Sequence, residues 1–151
     1  RVARMVTFEA QGGPVQKGSM KSFRHPKTGK VVTTNDSEHT KPWQLAVGWC
    51  AKEAMRGAPM LTGPVSVGAV FRFPRPKSHY RKSGDVKPNA PTRHTVKPDL
   101  DKLLRALFDA LTHVVWIDDS QVSDLGACAK RYIEAGERPG ATVTVATPEG
   151  A

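Results

Sequence analysis

The chain has 151 residues, 38% of them hydrophobic and 25% charged. That suits one domain with a real core and excludes a wholly disordered chain, while no apolar run nears the roughly 20 residues a bilayer crossing needs. Twenty-three Lys and Arg against fourteen Asp and Glu leave +9, a field that draws polyanions, with nucleic acid the commonest of them.

Val2 to Phe8 is short, partly alternating and β-prone, and is predicted as a first strand. From Gln11 to Thr40 the chain is rich in Gly, Ser, Thr, Lys and Pro, which reads as loop with a small hairpin turning near Thr28-Gly29-Lys30. Thr40 and Pro42 suit a helix start; Trp43, Ala46, Val47, Cys50, Ala51 and Ala54 recur at helical spacing, and Gly57 supplies the stop. A strand follows over Val65 to Phe73, where apolar residues fall on every second position. Pro74 to Val96 holds four prolines and many charges, a long connection of the kind that is functional or mobile.

Leu100, Leu103, Leu104, Leu107 and Leu111 form one stripe and predict the clearest helix, with Asp99 at its N-cap. Val114 to Ile117 is predicted as a short strand ending at Asp118-Asp119, and Gln121 to Ile133 as another, broken at Gly126. Ala141 to Ala146 alternates and closes the sheet. The expected fold is α+β: a two-layer sandwich, with a mixed sheet of about four strands and the helices on one face, in a single domain. Trp43, Trp49 and Trp116 are expected in the core. Cys50 and Cys128 form no metal-ligand pair, and no leader pattern opens the chain, so reduced thiols and a cytoplasmic location are expected. His25, His39, His79, His94 and His113 show no ligand spacing.

Charge is distributed unevenly. Between Arg72 and Lys97 eight cations face the single acid Asp85, whereas from Pro98 to Leu125 six aspartates face only Lys102 and Arg105. An acidic knot inside a basic chain is a natural arrangement for an enzyme that grips a polyanion and positions cations. Phosphodiester hydrolysis needs an activated water and a stabilised leaving oxygen, and carboxylates meet both needs by holding hard divalent cations. Asp99 and Asp101 could share one site at a helix entrance, with Asp118 or Asp119 adding a third carboxylate. The plainer reading is capping for the first pair and turn composition for the second. Arg105 stands four residues from both Asp101 and Asp109, either as part of an exposed charge ladder or as a phosphate contact.

The run from Lys97-Pro98-Asp99-Leu100-Asp101 through Arg105 and Asp109, followed by Val115-Trp116-Ile117-Asp118-Asp119-Ser120-Gln121-Val122, resembles the signature of RusA-type Holliday junction resolvases. A looser echo is Gly13-Pro14-Val15-Gln16-Lys17-Gly18. The resemblance implies a homodimeric bacterial or phage endonuclease that uses Mg2+, with Mn2+ able to substitute, on four-way junctions or other branched DNA. It implies Asp99, Asp101 and Asp119 as catalytic metal ligands, with Asp118 as their neighbour. Arg105 stands where the family carries a catalytic lysine and Lys102 where it often carries Asn; arginine keeps the charge but does not deliver a proton near neutral pH. Lys77, Arg81, Lys82, Lys87, Arg93 and Lys97 are the expected DNA contacts, followed by Lys17, Lys21 and Arg24. The alternatives are a basic nucleic-acid-binding module without catalysis and a nuclease of flaps or forks.

Overall fold

A computed structural model describes residues 4–16, 20–24, 26–35 and 39–148. The sheet is built from β1 (Met5–Gln11), β4 (Val65–Phe73), β5 (Val122–Tyr132) and β6 (Gly140–Ala146) in the order β1-β6-β4-β5. β6 lies antiparallel to both neighbours, with Val143 opposite Phe8 on one side and Ala69 on the other, and β4 and β5 run parallel. A separate hairpin, β2 (Met20–Arg24) and β3 (Val31–Asn35), turns through residues 26–30 as the Thr28-Gly29-Lys30 signal predicts. Val2 lies outside the described residues; the first strand runs on past Phe8 because the alternation continues to a buried Ala10.

α1 (Thr40–Met55) and α2 (Leu100–Leu111) pack on the sheet, giving the expected α+β layers. Trp43, Val47, Ala51 and Met55 of α1 and Leu103, Leu104, Leu107 and Leu111 of α2 are buried with Val65, Val67, Ala69 and Phe71 of β4. His39 takes the N-cap position of α1; Thr40 instead donates its hydroxyl to the Gln16 carbonyl at 2.8 Å, tying the helix start to the N-terminal loop. Arg56 and Gly57 then leave the helix with positive φ. Trp49 departs from its expected place: it is 63% exposed, whereas Trp43 and Trp116 are buried. Cys50 and Cys128 are free thiols, and no helix among the described residues is long and apolar enough to cross a membrane.

The predicted strand at Val114 to Ile117 is not formed. Val115 and Trp116 are both buried, but the segment is a turn closed on Leu111 and His113, and its ladder contacts are isolated bridges to Leu61 and Thr112. β5 runs unbroken through Gly126, and the irregularity there is a register shift: Val67 pairs with Leu125 but Ala69 with Cys128. A Cβ on Gly68 would meet the Ala127 carbonyl at 3.1 Å, so a side chain there would crowd the bulge.

The long basic connection is held by buried groups. Arg75 donates to the carbonyls of Ile133 and Pro91 at 2.8 Å each and lies 3.5 Å from Glu134. His94 stacks on Phe73 with ring centroids 4.0 Å apart, and burial, with Lys130 nearby, keeps its pKa below the ordinary value. Arg72 is internal too, donating to Thr142 and Arg138 and facing Glu9 at 3.4 Å. Two of the eight cations in that stretch are therefore structural.

Candidate active site

The parallel β4–β5 pair dictates where the acids fall. A chain that leaves the end of one strand and starts a parallel neighbour must travel back along the sheet, and here α2 makes that return. The start of α2 thus lies by the ends of the parallel strands, and its own end by their beginnings.

At the first of these places Asp99 occupies the N-cap position of α2, yet its carboxylate makes no cap hydrogen bond. Its backbone N–H donates to Gln16 Oε1 at 3.3 Å, and its carboxylate stands 3.8 Å from Lys102 Nζ. Asp101 follows in the first turn; Asp99, Asp101, Arg105 and Asp109 are all exposed, and Arg105 enters none of the described ion pairs. Lys130, on β5, donates to the carbonyls of Val96 at 2.8 Å and Pro98 at 2.7 Å, fastening the turn that presents Asp99. Sequence reasoning missed Lys130 and the role of Gln16. Nothing in Ala129-Lys130-Arg131 marks a residue that acts on a turn 32 positions upstream.

At the other place Asp118 caps a short 3-10 turn (Asp119–Gln121), accepting from the Ser120 N–H at 2.9 Å. That N–H, the Ser120 hydroxyl, Asp119 and His113 together hold the Asp118 carboxyl below the usual carboxylate range. Gln121 closes the turn, its Oε1 accepting from the N–H groups of Ile117 and Asp118 while its Nε2 donates to the carbonyls of Leu61 and Gly63 at 3.0 Å each. Asp118 is thus committed to building the turn, and Asp119 is the carboxylate it presents. Asp109, Thr112, His113, Ile117, Asp118 and Asp119 line an open concavity of about 420 Å³.

Within the single chain the described residues do not assemble the expected three-carboxylate pocket. Asp99 and Asp101 precede or begin a helix of 12 residues, about 18 Å long, and Asp119 lies beyond its far end. Among the described residues no group of three His, Cys, Asp or Glu is placed to hold a metal ion. Of the expected DNA contacts, Lys77, Arg81, Lys82, Lys87, Arg93 and Lys97 are exposed. Arg24 is exposed on the hairpin and donates to the Gly29 carbonyl at 3.3 Å; Lys17 and the side chain of Lys21 lie outside the described residues.

An α+β fold with an exposed cationic connection, and with exposed carboxylates before and beyond one helix, has the surface chemistry that suits a nucleic-acid backbone as partner. The particular group is given by sequence: residues 13–146 match the family described as endodeoxyribonuclease RusA, and the chain belongs to that family. It is also similar to the uncharacterized protein YqaN of Bacillus subtilis (strain 168), at 33% identity over 123 residues, covering 80% of this chain and 83% of that protein.

Proposed function

We propose that the chain is a homodimeric, magnesium-dependent endodeoxyribonuclease that resolves Holliday junctions and other branched DNA. The observation that carries the reading is the position of the two acid groups relative to the open edge of β5. Residues 123–127 of that strand are exposed, Leu125 by 56%, and its outer edge has only the Arg93–Arg131 bridge among the described residues. A bare strand edge is a template for pairing with another chain, and a two-fold axis makes the pairing self-complementary.

Antiparallel pairing of two β5 edges about an axis near Gly126 would use the open residues 123–129, since 130–132 already bond to 92–94, and would bring Val122 of one protomer toward residue 130 of the other. Those positions are about 26 Å apart within one strand, so the pairing spans the gap that the single protomer leaves open. Asp119, just ahead of Val122, would come beside the partner's Asp99 and Asp101. Each site would then take two carboxylates from one copy and one from the other.

The donors suit a hard cation: three exposed carboxylates, one of them released from capping. Magnesium held by Asp99, Asp101 and the partner's Asp119 would supply Lewis acidity at the scissile phosphate. Arg105, one turn from Asp101, acts on developing negative charge by electrostatics rather than by proton transfer. Lys130 keeps the Asp99 turn in place, and the exposed cations from Lys77 to Lys97 neutralise phosphates along the arms. Two sites on one dimer suit paired cuts in opposed strands.

The test is cleavage of a synthetic four-way junction with and without Mg2+, beside flap and fork substrates. Symmetric metal-dependent nicks are expected on the junction, absent for Asp101→Asn while junction binding persists. Binding without nicks by the unmodified protein would leave a non-catalytic module, and preferential cutting of flaps or forks would reassign the substrate.

A further inference from the structure

The exposed face of α1 carries an aromatic and cationic stripe that the catalytic reading does not use. Lys41, Leu45, Trp49 and Lys52 fall within an arc of about 80° on the helix, and Arg56 follows directly past its end. All five are exposed, Leu45 by 64% and Trp49 by 63%. Beside them Gly48 packs against α2, where a Cβ would lie 3.4 Å from the Ala110 carbonyl, and an open concavity of about 320 Å³ runs between the helices. Its wall includes Asp109, which also lines the Asp118–Asp119 concavity, so the two recesses share a side.

We propose that this face binds single-stranded DNA, with an unpaired base stacked on Trp49 and the flanking phosphates met by Lys41, Lys52 and Arg56. An indole with cations on both sides along one line is the arrangement that holds a base by its π-face and a backbone by its charge, without reading sequence. Lys41 and Lys52 are about 16 Å apart along the axis, enough for a strand to pass over Trp49 between them.

The charges argue against a second copy on the same face. A two-fold pairing of α1 with itself sets Lys41 against the partner's Lys52 when antiparallel, or like residues against each other when parallel. The acids nearest the stripe, Glu53 about 40° beyond Trp49 and Asp109 in the concavity wall, are outnumbered by Lys41, Lys52 and Arg56. A polyanion satisfies both ends at once. This inference goes beyond the nuclease reading, since it concerns binding without cleavage, although the shared Asp109 wall would let strands unpaired at a branch point reach the stripe.

The test uses the full chain in EDTA with oligothymidylate as probe. Trp43 and Trp116 are buried, so quenching of tryptophan emission by the oligonucleotide reports on Trp49. Saturable quenching at low salt is expected, and Trp49→Ala should weaken binding about 5- to 150-fold, measured by anisotropy of labelled DNA, with an unchanged far-ultraviolet circular dichroism spectrum. Lys52→Glu should weaken binding while leaving Trp49 in place to report it. Binding without quenching, or equal affinity of Trp49→Ala, would overturn the proposal. So would a dimer that Trp49→Ala turns into monomer at unchanged DNA affinity, which would assign the face to a second copy. Asp101→Asn must quench like the parent, so a failed nuclease assay and a failed stacking assay are separate results.

Discussion

A site shared across a two-fold axis can be tested by mixing two dead proteins. Asp101→Asn removes a carboxylate from the start of α2, and Asp119→Asn removes one that follows the far end of that helix, which is about 18 Å long. Each variant alone should have no active site. In a mixed dimer, one site receives both lesions and the other receives Asp99 and Asp101 from the Asp119→Asn subunit and Asp119 from the Asp101→Asn subunit, so it is whole. Random exchange makes half the dimers mixed, each with one of two sites intact, and recovered nicking should reach about a quarter of the parental rate. Coexpression with two different affinity tags, followed by sequential purification of the mixed dimer, should raise this to about half. The assay is nicking of a labelled junction in Mg2+, counting single nicks rather than paired cuts, because one good site cannot make both. Purified mixed dimer with no activity would refute the shared site. Activity in either single variant would refute the carboxylate assignment itself.

Two further outcomes follow from the charges. Arg131 grips Glu137 through two hydrogen bonds of 2.6 and 2.7 Å and brings its pKa down to about 2. A lowered carboxyl pKa gives stability that is complete above the ordinary value of 4.5 and is lost as pH falls toward 2. Glu137→Gln should therefore lower the urea midpoint at pH 7 and flatten its decline between those limits; an unchanged pH profile would remove that ion pair from the stability account. Among the cations of the long connection, Arg81→Ala or Lys87→Ala should reduce the slope of log affinity against log salt by about 0.9 for each phosphate that is no longer neutralised. Arg75→Ala should leave that slope alone and lower the melting temperature instead, since the group is buried on carbonyls.

The sequence and the fold agree where local pattern decides structure. α2 was legible because five leucines on one stripe cannot be buried any other way, and β4 because its alternation runs for nine residues. Val114 to Ile117 was misread because four apolar residues suit a strand or a buried turn equally, and only the packing of Val115 and Trp116 together decides between them. β5 shows little alternation of its own and owes its continuity to pairing with β4. The charge count hid the difference between Lys87 on the surface and Arg75 inside, because burial of a cation depends on carbonyls brought from distant segments. The carboxylates themselves were legible as a motif. Their separation was not, since about 20 residues between Asp99 and Asp119 suggest nearness only until the intervening helix is laid out at its rise of 1.5 Å per residue.

That helix has the mechanical character of a strut. The loop before it can lengthen and the hairpin can vary without altering the gap between its ends, but α2 cannot gain or lose a residue without moving one end by about 1.5 Å and turning it by about 100°. In a two-fold assembly the same span would set how far apart two reaction centres stand, and so how the geometry of a branched substrate is measured before it is cut. The leucine stripe would then answer to two demands at once, filling the interior and keeping a fixed length.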